Sequence, residues 1–330
     1  LAFILILILW SFIHAHQPEI HGLEKYMDFG FINSTLRAEY FPPKDMWFTP
    51  FYINYYYFGH LVAAVLTKLS NLDSAITYNL MIATIFALAF TATFSLGLNL
   101  VQPFSKIKSM LTAFLAASLL TLGGNLQPAY FFLTHHFNFT GYWYPDATRF
   151  IGYFPTTNDK TIHEFPLYSF VVSDLHGHVS DIPFVLLFMA LLFSFLLAKK
   201  PLRYYLLLTP LLAIMSVTNF WDLPIYLLLL CLVTLYLNYQ KFGFKFKTIL
   251  QTGLLSIFYF LLSTFFALPF YLHFQQIAQG LAAAQHHSYL WQLFVLWGFP
   301  ITIGISFIIL RILSLCHSRS NRESRFFASI

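Results

Sequence analysis

The chain has 330 residues, of which 58% are hydrophobic, 20% aromatic and only 9% charged, with a formal net charge of +5 and a mean hydropathy of +0.67. Soluble domains carry about 25% charged residues, so the composition excludes a water-soluble globular protein and defines an integral membrane one. The positive excess is spread over short loops and gives no reason to expect a nucleic-acid partner.

Apolar runs approaching the ~20 residues needed to cross a bilayer recur along the whole chain. They predict an all-α transmembrane bundle of eight spans, near 1–13, 74–100, 109–129, 180–198, 204–219, 223–239, 249–271 and 290–313. The first run, Leu1–Ile13, has no basic segment ahead of it and reads as a span cut short rather than a signal peptide. Long outer loops are expected at 14–73 and 130–179, short outer turns at 219–222 and 272–289, and a tail at 314–330, all within one membrane domain. Asp73, Asp181 and Asp222 each precede an apolar run, with Pro183 and Pro224 close behind the last two, which reads as helix capping. Tyr55–Leu69 is apolar but too short for a span and carries His60 and Lys68, so it is expected to lie as a helix in the interface. Cys231 falls within a span and Cys316 at a membrane edge, which excludes a disulfide framework.

These spans sort the charges. Lys106/Lys108, Lys199/Lys200/Arg203, Lys241/Lys245/Lys247 and Arg311, Arg319, Arg322 and Arg325 hold 12 of the 18 Lys and Arg and face the cytoplasm by the positive-inside rule. On the opposite side then fall 12 of the 13 carboxylates and 12 of the 13 histidines, Glu323 and His317 excepted. Acid–base, metal or phosphate chemistry is therefore expected on the non-cytoplasmic face, of the plasma membrane.

In the first outer loop, Glu24 and Asp28 are four residues apart and share a face if the segment is helical. Such a pair fits a general base and a partner holding an acceptor hydroxyl or metal; it also fits a solvated helix face. Asp45, Trp47, Asn54, Tyr55, Tyr56, Tyr57 and His60 follow. Aromatic faces flanked by polar groups suit recognition of a sugar or headgroup, although aromatics also serve as plain interface anchors. In the second loop Asp174, His176 and His178, with Asp181 beyond, form the densest polar cluster. Extended, the first three project to one side; helical, Asp174, His178 and Asp181 do. Either geometry suits a zinc or harder divalent ion, or simple mutual hydrogen bonding. Glu164 is a further carboxylate, with His163 beside it. Arg149, Lys160 and Lys25 are candidates to meet a departing phosphate, or ion pairs for the surrounding carboxylates. His135/His136 and His286/His287 lie on the same side. Asn33-Ser-Thr35 and Asn138-Phe-Thr140 match the glycosylation sequon, a pattern common by chance.

The runs from Glu24 (E-K-Y-M-D-F), from Phe41 (F-P-P-K-D-M-W) and from Ile53 (I-N-Y-Y-Y-F-G-H) resemble the family of polytopic membrane proteins named for its Tyr-Tyr-Tyr motif. The run from Glu164 to His178 and Asn219-Phe-Trp-Asp222 resemble it in the same order. The layout in turn resembles the GT-C superfamily of integral-membrane glycosyltransferases, whose acidic residues sit in the first outer loop and whose donors are polyprenyl-phosphate sugars. The resemblance implies Asp28 or Glu24 as the catalytic acidic position. No adjacent Asp-Glu pair is present, so both stay open.

The expected function is glycosyl transfer on the non-cytoplasmic face, from a polyprenyl-phosphate donor to a lipid, glycan or protein acceptor. Asp28 or Glu24 is the base; Asp45, Trp47, Asn54, Tyr55, Tyr56, Tyr57, His60, Arg149, Lys160, Glu164 and Asp222 bind substrate. A divalent ion at Asp174, His176 and His178 is the one cofactor the sequence suggests. A metal-dependent lipid phosphohydrolase or phosphotransferase is the first rival and a non-catalytic scaffold the second. A transporter is disfavoured, because 180–198, 204–218 and 249–271 carry no charge at mid-membrane depth.

Overall fold

The computed structural model describes residues 1–330 except 102–104, 139, 159, 198–201, 277–279, 281–282 and 328–330, and the side chains of 202 and 315–327. Lys199, Lys200, Phe139 of the second sequon and the side chains of Cys316, His317, Arg319, Arg322, Glu323 and Arg325 lie outside the described residues. Those described form twelve α-helices, one 3-10 turn and two isolated bridges.

The chain divides into two compact units, Leu1–Leu122 with Pro166–Gln279, and Gly123–Phe165 with Gly280–Ile330. Unit 1 holds α1 (Ala2–His14), α2 (Lys25–Arg37), α3 (Phe58–Ser70), α4 (Ser74–Leu100), α5 (Lys106–Leu122), α7 (Pro166–Val172), α8 (Gly177–Leu197), α9 (Leu202–Thr218), α10 (Asp222–Phe242) and α11 (Phe246–Tyr271). Unit 2 holds α6 (Gln127–Thr134), the 3-10 turn Tyr144–Thr148 and α12 (Leu290–Phe327). The second outer loop is thus divided at Phe165, its early part folding with α12 and its end with the other spans.

Among the described residues, five helices are long and apolar enough to cross a membrane: α4, α8, α10, α11 and the Leu290–Ser314 part of α12; α5 and α6 make a sixth if they form one broken span. The eight expected spans include α1 and α9, both shorter. Seventeen residues of α9 rise about 25 Å, short of the ~30 Å hydrocarbon core.

Unit 1 has two main cores. In the first, Trp10 of α1 stacks on Phe86 of α4 at 3.9 Å and 6°, beside Ile32, Ala63, Ala64 and Phe170. The second joins α8, α9, α10 and α11 through Phe188, Leu192, Leu208, Leu212, Met215 and Tyr259. Fully buried Ala83, Ala87, Ala89, Ala113 and Ala117 on α4 and α5 suit helices associating by close packing, since lipid offers Leu as good a solvent as a core does.

Helix ends follow sequence chemistry in part. The Asp73 carboxylate accepts from the Ala75 amide at 2.8 Å and caps α4, and Asn71 ends α3 in the left-handed region at φ 55°. Asp181 is not a cap: α8 starts earlier, at Gly177, because the His176 carbonyl accepts from Val179 and Ser180 at 3.1 and 2.9 Å. Asp181 consequently lies inside the helix with 0% exposure, and Pro183 is internal. Asp222 is the first residue of α10; its carboxylate accepts from the Asn219 amide side chain at 2.8 Å. Tyr55–Leu69 resolves into a loop and α3, whose Gly59, His60, Ala63, Ala64 and Thr67 are buried in unit 1. Cys231 is a free thiol within α10.

Candidate functional site

The starts of α4, α8 and α10 and the ends of α1, α9 and α11 share one end of unit 1, where the first polar excursion and the part of the second from Pro166 onward fold. Lys106, Lys108, Arg203, Lys241, Lys245 and Lys247 belong to the opposite helix ends. The segment joining α7 to α8 builds the site's floor. Ser173 there takes a left-handed conformation, φ 66°, sparsely allowed for a non-glycine residue. Its carbonyl accepts from the Tyr78 hydroxyl at 3.1 Å, and its hydroxyl meets His14 Nδ1 at 3.1 Å. His14 Nε2 lies 2.7 Å from Asn79 Oδ1, an oxygen that can only accept; the proton of the neutral ring is then on Nε2, which leaves Nδ1 as an acceptor facing the Ser173 hydroxyl, whose one proton also has the Phe170 carbonyl at 3.1 Å. Past the bend, a Cβ on Gly177 would stand 2.3 Å from the Thr218 carbonyl oxygen. Glycine is required for α8 to start against the end of α9.

Above this floor, the first turn of α2 carries both candidate bases. Glu24 is its N-cap residue, and its carbonyl accepts from the Asp28 amide at 3.1 Å. One turn apart, the two carboxylates diverge. Asp28 Oδ1 accepts from His60 Nε2 at 2.9 Å, and these side chains are 0% and 1% exposed. Glu24 Oε2 is hydrogen-bonded to His176 Nε2, with exposures of 56% and 13%. The first pair is sealed in the core; the second faces the surroundings.

Lys25, between them in sequence, is buried, and its ammonium donates to the Glu19 carbonyl at 3.3 Å. Burial pulls its pKa below the usual lysine range, while the charges of Asp174 and Glu19 act in the opposite sense. Asp174 is buried at 2% exposure, and both it and Asp28 act electrostatically on the Tyr78 hydroxyl. His176 and His178 stack with ring centroids 5.6 Å apart, and His178 Nε2 lies 3.3 Å from the Ser169 hydroxyl. Glu24 is bonded to one member of this imidazole pair, His176, and Asp174 is charge-coupled to Lys25. The segment is neither extended nor helical throughout, because α8 begins between the two histidines.

The remaining candidates separate by role and by unit. The Asp45 carboxylate accepts from the amides of Trp47 and Phe48 at 2.7 and 2.9 Å and forms a turn. Trp47 is exposed. Asn54 exchanges two hydrogen bonds with the Gln275 backbone, at 2.9 and 2.8 Å. Tyr55 packs on Phe31 at 5.6 Å, Tyr56 on Phe274 at 5.3 Å and Tyr57 on Phe270 at 5.7 Å; burial raises the pKa of Tyr56 and Tyr57. Arg149, Lys160 and Glu164 belong to unit 2. There Arg149 donates to the Thr148 hydroxyl at 2.9 Å and the Lys160 ammonium sits 5.1 Å from the Tyr153 ring centre. His14, Tyr78, Asn79 and Ser173 were not singled out by sequence. The available signal was position: each is a polar group at the outer end of a predicted span or beside the Asp174 cluster.

A helical membrane protein, with carboxylate–imidazole pairs gathered at one end of its bundle, is the class that fold and site define. Residues 1–330 match the family model described as "Uncharacterized membrane protein (DUF2298)", and the chain belongs to that family. No curated protein and no solved structure matches it.

Proposed function

We propose that the protein is a glycosyltransferase of the membrane surface, moving a sugar from a polyprenyl-phosphate donor to an acceptor hydroxyl on the non-cytoplasmic face. The observation that carries this reading is the accessible Glu24–His176 pair at the end of unit 1 remote from the basic loops. Glu24 takes the acceptor's proton as its oxygen bonds to the anomeric carbon, and the bond from that carbon to the phosphate oxygen breaks. His176 orients Glu24. Lys25, in the same turn, supplies positive potential for the phosphate that leaves. Asp28, sealed against His60, is assigned to positioning the turn. A lipid-linked donor is favoured because the site lies where spans end and the chain has no Gly-rich phosphate loop.

A second reading, metal-dependent phosphohydrolysis, is favoured by the stacking of His176 and His178, two imidazole donors of the kind zinc takes. The deciding experiment incubates the protein in membranes with labelled polyprenyl-phosphate sugars, wild type beside Glu24→Gln. Metal-independent transfer that Glu24→Gln abolishes is expected. Correctly folded protein that transfers from no donor, yet holds one metal per chain and releases phosphate, would replace the first reading with the second.

A further inference from the structure

Residues 40–54 of the first excursion form a small hairpin with a rigid frame. Lys44 pairs with Tyr52 in an antiparallel bridge, Asp45 donates its amide to the Phe51 carbonyl at 2.9 Å, and Ile53 donates to the Pro43 carbonyl at 2.9 Å. The Asp45 carboxylate closes the tip through the amides of Trp47 and Phe48. The frame presents its aromatics outward: Trp47 and Phe48 are 66% exposed, Phe51 57% and Tyr52 53%. Phe48 and Phe51 stack on each other at 4.8 Å rather than on the body of unit 1. An exposed aromatic patch of this density marks an interaction surface.

Its place in the fold identifies the partner. At one end, Asn54 is tied by two hydrogen bonds to the backbone of Gln275, four residues past the end of α11. At the other, Phe41 and Pro42 line a groove of about 740 Å³ together with Pro210, Val217 and Phe265–Phe270. Both ends of the hairpin are thus fixed to the terminus of a membrane span. Phe265, Phe266, Leu268 and Leu272 of that terminus are themselves exposed, so the aromatic tip continues an apolar surface that lipid covers. Lys44 and Asp45 are the ionisable side chains in 40–54 apart from tyrosine. The Asp45 carboxylate is already hydrogen-bonded, and a lysine at this depth extends its ammonium to the headgroups. Inserting the tip therefore leaves no bare charge in hydrocarbon, and Trp and Tyr favour that boundary.

We propose that the 40–54 hairpin is a membrane-interface anchor, with the rings of Trp47, Phe48 and Phe51 seated among the lipid headgroups and upper acyl chains beside α11. The anchor fixes the height of the first excursion over the bilayer whatever reaction the site performs. To test it, nitroxide labels are placed at Phe48→Cys, Phe51→Cys and, as a control on an exposed polar turn, Gln17→Cys, each in a Cys231→Ser/Cys316→Ser background. The proteins are reconstituted in phosphatidylcholine–phosphatidylglycerol vesicles, and collisions with oxygen and with a water-soluble nickel chelate are compared. A ratio of oxygen to nickel collisions several-fold higher at 48 and 51 than at 17 is expected. A parallel measurement needs no label: brominated lipid should quench a fluorescence component present in wild type and missing from Trp47→Phe. Labels at 48 and 51 as open to nickel as the control, with Trp47 unquenched, would overturn the anchor and leave the tip as a surface for a soluble sugar or protein.

Discussion

Asp28–His60 and Glu24–His176 use the same two chemical groups, one helical turn apart, in opposite environments. Asp28 and His60 are sealed inside unit 1, where Asp28 Oδ2 and His60 Nδ1 have no hydrogen-bond partner among the described residues. Glu24 remains more than half exposed. A carboxylate that receives a proton from an incoming alcohol must be reachable, whereas one that holds a helix in place gains from a dry site where its hydrogen bond is strong. Spacing in sequence joins the two acids, and burial separates their tasks.

The sharpest way to break that division is to remove each acid in turn. Glu24→Gln keeps the size and the surface position, so stability should stay within about 0.5 kcal/mol, while transfer falls roughly 10²–10⁴-fold for a lost general base. Labelled-sugar transfer and detergent-phase thermal unfolding on the same preparation measure both. Equal transfer by wild type and Glu24→Gln would remove Glu24 from the chemistry. Asp28→Ala should do the reverse in kind. It strands His60 in the core and should destabilise unit 1 by roughly 2–4 kcal/mol, seen as a lowered unfolding midpoint. Asp28→Asn, which retains an acceptor oxygen, should recover part of that loss; if both variants unfold like wild type, the pair is not structural.

Gly177→Ala tests the link between floor and surface. Its methyl group would collide with the Thr218 carbonyl, and overpacking of this kind costs roughly 1–3 kcal/mol. Relief requires α8 to move away from α9, carrying His176 with it, so transfer should fall while Glu24 itself is intact. Wild-type transfer by a destabilised Gly177→Ala would show that His176 need not be held at its present place.

Sequence revealed the parts of this arrangement that follow from period and polarity. The bounds of α4 agree with the expected span 74–100, those of α8, α10 and α11 agree to within a few residues at each end, and Asp73 caps its helix as predicted. The side chains of the first excursion were harder to read. Asp45 and Asn54 have the composition of ligand-binding groups, yet a carboxylate two residues before a free amide closes a turn equally well, and nothing local tells that Asn54 reaches Gln275. Asp181 shows the same limit: Asp-Ile-Pro looks like a helix start, but the His176 carbonyl begins the helix one turn earlier. Which acid is buried depended on α3 packing over α2, a long-range contact with no local signal. The tyrosine-rich and Asp-Leu-His-Gly-His segments pointed to the end of unit 1 where the pairs meet, not to the partner each group would take.

His163 in unit 2 offers the mildest contrast with the two pairs, because no carboxylate is among the groups that set its protonation. The ring is half-buried with an edge-to-face contact to Phe150 at 4.3 Å, and its amide donates to the Thr148 carbonyl at 3.0 Å. Burial, against a smaller opposing pull from the Thr161 backbone, lowers its pKa from 6.5 to about 4. Between those values the unfolded segment binds a proton that the folded one refuses, so stability rises with pH across the interval. The contribution is fully present above pH 6.5 and lost as pH falls towards 4. Amide exchange over 148–163 should accordingly quicken on acidification through that window, beyond the intrinsic pH dependence of exchange, while the first turn of α2 responds less. His163→Gln, which cannot take up the proton, should flatten the response. A pH dependence that survives this substitution would place the titrating group elsewhere in unit 2; Asp146 is not that group, because burial raises its pKa and its contribution to stability grows on acidification.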